Sequence, residues 1–359
     1  MYKSSNQSYL LKFKLIFLPN ILRIFFLLLA FQVTYGWAHE DRAYSHDESI
    51  GVNFPDWMEA VPNERCLKDI SMPGTHDTMA LHGGDIVQTQ SMKLGTQLLS
   101  GVRVVDIRCR RVDDSFTIHH GQVYQHANFN DVLLAITQFL QQHPSETVLM
   151  RVGEASDVDP QSTVDFVTIF NSYVNDPNYS NFFWRGSDFR VILNDVRGKI
   201  VLLRDFKGGD FGLVYSSSLF NIQDHWKLTT NADLYDKWTQ VKQQLVDASS
   251  NSSFDRPFFI NYLSGSTGSF PYFVASGHSS PSTSAPRLAT GRTTPGWKDS
   301  YPDFPRVDCW GTLCTIAYEG TNILTRDYII KNYPSYVGII MADFPGAGLM
   351  EQIISTNFR

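Results

Sequence analysis

The feature that most constrains the fold is a repeated alternation of short apolar runs with amphipathic segments. Eight runs have the length and pattern of strands, at residues 67–72, 102–109, 116–120, 147–152, 199–206, 219–222, 258–263 and 336–343. Helical spacing is clearest over 129–140, with Asn128 or Asn130 as N-cap, and helices are also predicted at 88–99 (helix or loop), 164–174, 233–246 and from 347. Strands that alternate with helices favour an α/β fold, a TIM-like (β/α)8 barrel, somewhat irregular and in a single domain.

The N-terminal region predicts export of the chain. Lysines and an arginine precede an apolar run at 24–31 that is shorter than the roughly 20 residues of a membrane span. Small residues at 36–38 suit signal cleavage, so we expect residues 1–38 to be a secretory signal peptide, with an uncleaved signal anchor as the alternative. Residues 39–56 are expected to be a disordered lead, and 57–359 the barrel, with Trp57 and Met58 as a plug beneath it.

Charge and cysteine content narrow the class of protein. The net charge of −6 and the absence of a basic stretch argue against a nucleic-acid partner. Four cysteines in an oxidising compartment predict two disulfides, Cys309–Cys314 and, if the first two strands are neighbours, Cys66–Cys109. A zinc site is the rival interpretation, but no two-residue cysteine spacing supports it. Asn178 and Asn251 begin sequons, which are glycosylation candidates in a eukaryotic secretory route.

Ionisable side chains follow three successive predicted strands. We expect Pro73-Gly74 to end the first strand, which places His76 and Asp77 in the loop beyond it. The next strands carry Asp106 and Arg108, and His119 and His120, to the same rim. Two imidazoles supply a base and an acid near neutral pH, and an Arg offers a bidentate clamp for phosphate. The set is suited to cleaving a phosphodiester without a metal, whereas the His76–Asp77 pair alone would suggest a solvated turn.

These segments resemble a known family. The residues that carry the resemblance are 73–78 (PGTHDT), 106–108 (DIR), 119–121 (HHG), 143–147 (HPSET), 198–204 (GKIVLLR), 223–226 (QDHW) and 261–264 (NYLS). In this order they are similar to the bacterial-type phosphatidylinositol-specific phospholipases C, from about Trp57 to the C-terminus.

The resemblance implies a role for each residue at the rim. His76 is the expected general base and His120, directly before Gly121, the general acid. Because successive side chains of a strand point to opposite faces, only one of His119 and His120 is expected to face the site. Arg108 would stabilise the phosphate, Asp77 and Asp343 would orient the imidazoles, and Asp106 would hold Arg108 or the inositol 2-hydroxyl. Asp343 as a helix cap is the alternative.

The resemblance also implies residues that bind the inositol ring. Arg204 and Asp224 match ring-binding positions, and Trp226 stands where the family has a stacking Tyr. After the fourth strand the chain departs from the family's Lys and Glu, since it reads Arg151-Val152-Gly153-Glu154. Glu154 is carried over, whereas Arg151 is a substrate-binding candidate without a matched position, which puts headgroup preference in question.

A long segment rich in small polar residues, 264–310, interrupts the alternation. We expect it to form a loop or flap, because loops of this length are usually functional or disordered. Its aromatic residues, Phe270, Tyr272, Phe273 and Trp297, would either touch a bilayer interface or pack onto the barrel.

Taken together, the resemblance implies a secreted, metal-independent lyase that needs no cofactor. Such an enzyme cleaves phosphatidylinositol in membranes to diacylglycerol and inositol 1,2-cyclic phosphate, with glycosylphosphatidylinositol (GPI) anchors as a second candidate substrate, and is expected to be a monomer. The alternatives are a metal-dependent glycerophosphodiester or sphingomyelin phosphodiesterase, and a catalytically silent lipid- or glycan-binding relative.

Overall fold

Eight parallel strands form one curled sheet in the computed structural model, which describes residues 42–155 and 162–359. The strands of the described chain are β1 Met72–Thr75, β2 Val104–Val112, β3 Ser115–His120, β4 Val123–Asn128, β5 Val148–Glu154, β6 Ile200–Asp205, β7 Leu213–Val214, β8 Phe220–Gln223, β9 Lys227–Leu228, β10 Phe258–Tyr262, β11 Ser266–Thr267, β12 Ala289–Thr293, β13 Arg306–Trp310, β14 Leu313–Ala317 and β15 Ile339–Ala342. The helices are α1 Leu94–Leu99, α2 Phe129–Gln142, α3 Phe166–Val174, α4 Leu234–Ser250, α5 Pro271–Ser276, α6 Thr321–Asn332 and α7 Ala347–Ser355. The order of the parallel strands is β7-β6-β5-β2-β1-β15-β10-β8. The predicted TIM-like α/β fold is confirmed.

One of the eight strands is not the predicted one. The run at 116–120 is not a barrel strand: β3 pairs antiparallel with β2 and β4 and projects as a hairpin. Its place in the barrel is taken by β7, a strand of two residues, which is too short to show an apolar pattern in the sequence. No ladder joins β7 to β8 among the described strands, so the sheet curls around without closing.

Alternate residues of each strand face two different cores. Val104 of β2 belongs to an interior cluster with Leu149, Val201 and Ile339 from neighbouring strands. Val105 lies on the opposite face, in the core formed with α2 and α3. Because side chains on a strand alternate, every second residue beyond the interior cluster points into the mouth at the carboxyl ends of the strands.

Pro73 and Gly74 lie within β1, so the prediction that they end the strand is wrong. Both are in register with β15. Gly74 faces the interior, where a Cβ would clash with the sulfur of Met341 and approach the Cβ of Val104 to 3.1 Å. The small residue therefore lets β1 pack closely between its neighbours, and His76 follows the strand directly.

The expected disordered lead is ordered over its described part, which begins at residue 42. Ala43 and Tyr44 are buried, and Tyr44 bridges to Pro345 and donates its hydroxyl to the Pro281 carbonyl. Trp57 and Met58 lie in a 3₁₀ turn and pack into the interior cluster, which agrees with their predicted position as a plug. The predicted signal peptide, residues 1–38, lies outside the described residues. No described helix has the length and apolar character needed to cross a membrane.

The segment expected to be a loop is largely structured. It contains α5 and β12, and β12 joins β14 and β13 in an antiparallel sheet. Tyr272 and Phe273 are buried, so these rings pack onto the barrel, whereas Phe270 and Trp297 are 41% and 49% exposed.

The two predicted disulfides have different outcomes. Cys309 and Cys314 are bonded across the β13–β14 turn. Cys66 and Cys109 are free, because Cys66 lies before β1 at one end of the barrel and Cys109 beyond Arg108 at the other. Burial raises the pKa of the Cys109 thiol, which packs in the core beneath α2.

A buried ion pair lies at the end of the barrel opposite the mouth. Arg103 and Glu146 are fully buried and in contact at 2.7 Å. Arg103 also donates to the carbonyls of Leu98 and Pro55, while Glu146 accepts from the Met58 backbone. The HPSET segment, residues 143–147, therefore has a structural role at this end of the barrel and lies away from the mouth.

Candidate active site

His76 and Asp343 meet where the last strand returns beside the first. Thr75 and Ala342 are in register, so the two following side chains are neighbours. Nδ1 of His76 lies 2.9 Å from Oδ1 of Asp343, and Nε2 lies 2.9 Å from a guanidinium nitrogen of Arg108. A carboxylate accepts and a guanidinium donates, so this geometry fits a neutral imidazole with its proton on Nδ1. Nε2 then carries the lone pair, as a general base requires.

The surroundings of His76 set its basicity. Burial lowers the pKa of His76, but the charge of Asp343 and its hydrogen bond outweigh burial, and the pKa lies above the ordinary value. Arg108 opposes this increase. The edge of the His76 ring faces Tyr262, with ring centroids 5.8 Å apart, which fixes the plane of the imidazole.

His120 reaches the same cavity from the β3–β4 hairpin. Its Nδ1 donates to the carbonyl of Val87 at 2.6 Å, and its Nε2 lies 3.4 Å from Oδ2 of Asp77. Nε2 is therefore the ring nitrogen on the side of Asp77. His119 also lines the cavity, which differs from the expectation that only one of the pair could, but it has no contact with Asp77. Burial lowers the pKa of His119.

Asp77 connects the two imidazoles through Arg108. Its Oδ2 pairs with Arg108 at 2.9 Å and approaches His120, and Arg108 in turn contacts His76. Asp77 has a φ of 42°, in the left-handed region, and its backbone N–H donates to Asp106. This unusual backbone turns the carboxylate back under the guanidinium.

Asp106 holds two guanidinium groups at once. Its Oδ2 accepts from Arg108 at 3.2 Å and its Oδ1 from Arg151 at 2.6 Å. Although burial favours the neutral acid, Arg151 and Arg108 keep the pKa of Asp106 far below its usual range. Both oxygens are occupied, so the structure supports the prediction that Asp106 holds Arg108 and gives no support to a contact with the 2-hydroxyl.

Arg151 lies on the floor of the cavity. It pairs with Asp205 at 2.5 Å and lies over the ring of Tyr215, 4.8 Å from the centroid. A Cβ at Gly153, the next residue on the same face, would make only ordinary contacts, with the Asp205 carboxylate at 3.6 Å and the Arg151 guanidinium at 4.0 Å. Arg151 thus takes a place at the site although no family position matched it.

The remaining predicted ring-binding residues have mixed placements. The cavity, of about 440 Å³, is lined by Asp224, the half-exposed Trp226 and Glu154, and Glu154 is paired with Arg111 at 2.7 Å. Arg204 does not reach the cavity, which contradicts the expectation. Its guanidinium turns to the carbonyls of Gly208 and Gly209, because Arg204 lies on the outer face of β6.

Sequence reasoning missed two residues of the site, Asp205 and Tyr262. Asp205 follows Val201 and Leu203 on the interior face of β6, so period two could have identified it. Tyr262 ends β10, and its hydroxyl lies 2.6 Å from that of Tyr215. Burial raises the pKa of Tyr262, which stays a neutral donor. An aromatic strand end gives no signal that distinguishes this position from ordinary core.

No group of three or more His, Cys, Asp or Glu side chains is arranged to hold a metal ion within 42–155 and 162–359. The cation at the centre of the cavity is the guanidinium of Arg108, in contact with His76, Asp77 and Asp106. Two imidazoles, one guanidinium and the carboxylates that orient them form a constellation suited to general acid–base attack on a phosphoester.

Comparisons with known proteins identify the family. Residues 67–205 match the phosphatidylinositol-specific phospholipase C, X domain. A 1-phosphatidylinositol phosphodiesterase of Staphylococcus aureus is 30% identical over 308 residues, 78% of this chain and 92% of that protein. Another from Listeria monocytogenes is 31% identical over 61% of this chain and 71% of its own length. The solved structure of the phosphatidylinositol-specific phospholipase C from L. monocytogenes superposes with a TM-score of 0.61 at 25% identity, over 85% of this chain and 99% of that one. The chain belongs to the bacterial phosphatidylinositol-specific phospholipase C family.

Proposed function

We propose that this enzyme cleaves phosphatidylinositol to diacylglycerol and inositol 1,2-cyclic phosphate without a metal ion. Family membership supports the reaction class. The observation that carries the proposal is the position of Arg108, whose guanidinium contacts His76 and, through Asp77, adjoins His120. A phosphate seated on this guanidinium would have one imidazole on each side.

The proposed reaction is an in-line displacement at phosphorus. Nε2 of His76 takes the proton of the inositol 2-hydroxyl, and the oxygen forms a bond to phosphorus. The bond from phosphorus to the glycerol oxygen breaks, and Nε2 of His120 gives its proton to that oxygen. Arg108 stabilises the charge on the pentacoordinate phosphate, because its cation cannot be titrated away. Asp343 keeps His76 in the required tautomer.

The ring-binding part of the cavity adjoins the catalytic groups, because Asp106 contacts both Arg108 and Arg151. We assign Arg151, Asp205 and Asp224 to hydrogen bonds with ring hydroxyls, and Trp226 to stacking on the ring face. Arg151 supplies a cation to this part of the cavity, although no family position matched it. Glu154 is retained in the proposal at the edge of the cavity, and Arg204 is excluded by its orientation.

The alternatives are a metal-dependent phosphodiesterase and a silent lipid-binding relative. Incubation of the pure protein with phosphatidylinositol vesicles and excess EDTA, followed by phosphorus NMR, distinguishes all three. We expect the resonance of the cyclic phosphate to appear, and to grow as fast in EDTA as without it. Loss of turnover that Ca²⁺ restores would establish the metal-dependent enzyme, and binding to vesicles without turnover would establish the silent one.

The wider setting is part of the proposal. The signal-like segment at residues 1–38 supports secretion, residues 39–56 lead into the barrel at 57–359, and Asn178 is exposed, as a glycosylation site requires. GPI anchors contain the same phosphodiester and are proposed as a second substrate. We expect the protein to be a monomer, which light scattering of the purified protein tests. We also expect it to act at the surface of the membrane.

A further inference from the structure

We propose that a groove beside the catalytic cavity binds the diacylglycerol half of the substrate, at its glycerol esters and first acyl carbons. The inference rests on the proposed function and adds a subsite to it. The groove, of about 750 Å³, shares Ser266 with the cavity and runs between Ile86 on one side and Phe270 on the other.

The floor of the groove is a small, pre-built element. The strands β9 and β11 pair in parallel, and the N–H groups of Ser266 and Gly268 donate to the carbonyls of Trp226 and Leu228. Gly268 packs so closely that any Cβ would collide with the Thr229 carbonyl. Ser269 donates to Asn231 at 2.8 Å and ties the end of the floor to the neighbouring turn. The groove therefore has a fixed shape before a ligand arrives.

The position of the groove matches the position of the leaving group. A general acid must lie within hydrogen-bond reach of the oxygen that it protonates, so the glycerol oxygen departs beside His120. Nδ1 of His120 is bonded to the carbonyl of Val87, and the preceding residue, Ile86, forms a wall of the groove. The backbone of this loop is held by hydrogen bonds from Val87 and Gln88 to Gly84. The leaving group that His120 protonates therefore lies next to the groove, on the side of Ile86.

The chemistry of the lining fits a neutral ester lipid. Hydroxyl groups of Thr229, Thr230 and Thr267 can donate to ester carbonyls, and the side chains of Ile86 and Phe270, 73% and 41% exposed, supply apolar walls. The lining residues of the groove carry no ionisable side chain, in contrast with the cavity, which is lined by charged groups. This contrast favours the uncharged diacylglycerol over a second phosphate.

The test compares two soluble substrates with the same phosphoinositol group. Dihexanoyl phosphatidylinositol, below the concentration at which it aggregates, carries both acyl esters, and glycerophosphoinositol carries none. We expect Phe270→Ser to lower the ratio of kcat/KM values, dihexanoyl substrate over glycerophosphoinositol, by about 10-fold. Trp297→Ser is the matched control, because Trp297 is a similarly exposed aromatic of the same segment outside the groove, and its ratio should equal that of the wild type. Circular dichroism confirms that each variant is folded.

A second measurement uses the product. Dihexanoylglycerol should inhibit the wild type competitively and inhibit Phe270→Ser at least 5-fold less. An unchanged substrate ratio in Phe270→Ser, or equal inhibition of both proteins, would overturn the groove while leaving the proposed function intact. A wild type that cleaves neither substrate would overturn the proposed function and the groove with it. If Phe270→Ser instead slows only a glucosaminyl derivative of phosphatidylinositol, the groove binds a glycan and the lipid assignment is wrong.

Discussion

Nδ1 of His76 lies 2.9 Å from Oδ1 of Asp343, although 266 residues separate them in the sequence. The pairing of β1 with β15 brings them together, so the catalytic base is assembled only when the last strand has docked. Asp343 is almost fully buried, at 1% exposure, and its charge is directed at the imidazole with little screening by solvent.

Asp343→Asn should move the acidic limb of the pH profile of kcat/KM to lower pH. His76 acts as a base only when neutral, and Asp343 raises its pKa, so removal of the carboxylate lowers the pH at which the base becomes available. Steady-state kinetics between pH 4 and pH 8 measure the midpoint. Asp255→Asn, at an exposed pair with Arg190, is the control and should leave the midpoint in place. A limb at the wild-type pH in Asp343→Asn would show that another group controls it.

His120→Ala should lose activity according to the leaving group. On phosphatidylinositol, whose alkoxide leaving group needs a proton, we expect a loss of about 10²–10⁴-fold. On a nitrophenyl ester of inositol phosphate, whose leaving group needs none, the loss should be below about 10-fold. His76→Ala is the matched comparison and should be slow on both substrates, because both require the 2-hydroxyl to be deprotonated. Equal losses of His120→Ala on the two substrates would remove the acid assignment.

Glu146→Gln should destabilise the fold by about 3–5 kcal/mol, because it leaves Arg103 buried without its counter-charge. Urea unfolding followed by circular dichroism gives the difference. Glu351→Gln is the control: its partner Arg42 is exposed, and a pair at the surface contributes about 1 kcal/mol or less. Similar losses in the two variants would contradict the structural role assigned to the HPSET segment.

Lys237→Met should stabilise the protein more at pH 7 than at pH 9. The Nζ of Lys237 is buried against the Tyr262 carbonyl, and burial lowers its pKa to about 7. Between the folded pKa and the higher unfolded one, the unfolded state binds more protons, so the stability of the wild type rises with pH. The advantage of the variant should shrink by about 2 kcal/mol from pH 7 to pH 9 in urea unfolding. A difference independent of pH would mean that Lys237 keeps an ordinary pKa.

Much of the site was predictable because period two applies to every strand of the barrel. Asp106 and Arg108 fall on one face by spacing alone, and the structure brings both to the mouth with His76, His120 and Asp343. The same rule, applied after Val201 and Leu203, gives Asp205 instead of Arg204. There the motif match was misleading, since similarity of residue type says nothing about the face on which a side chain lies.

Other features depend on tertiary contacts that leave no local pattern. The strand β7 has two residues and exists because β6 offers it an edge. Pro73 and Gly74 are turn formers by propensity, yet β2 and β15 hold them in a strand. In each case the packing of neighbouring strands outweighs the local preference.

Within the described barrel, β7 and β8 are the two neighbouring strands that share no ladder. The ladders run without interruption from β7 to β8 through the other six strands, and the strands of His76, Arg108 and Asp343 lie in the middle of this order. Asp205 and Asp224 stand on opposite sides of the opening, at the ends of β6 and β8. The distance between these two carboxylates can therefore adapt to a larger or differently substituted sugar without breaking a main-chain hydrogen bond. Evolution can retune which headgroup is accepted while the machinery that breaks the phosphoester stays as it is.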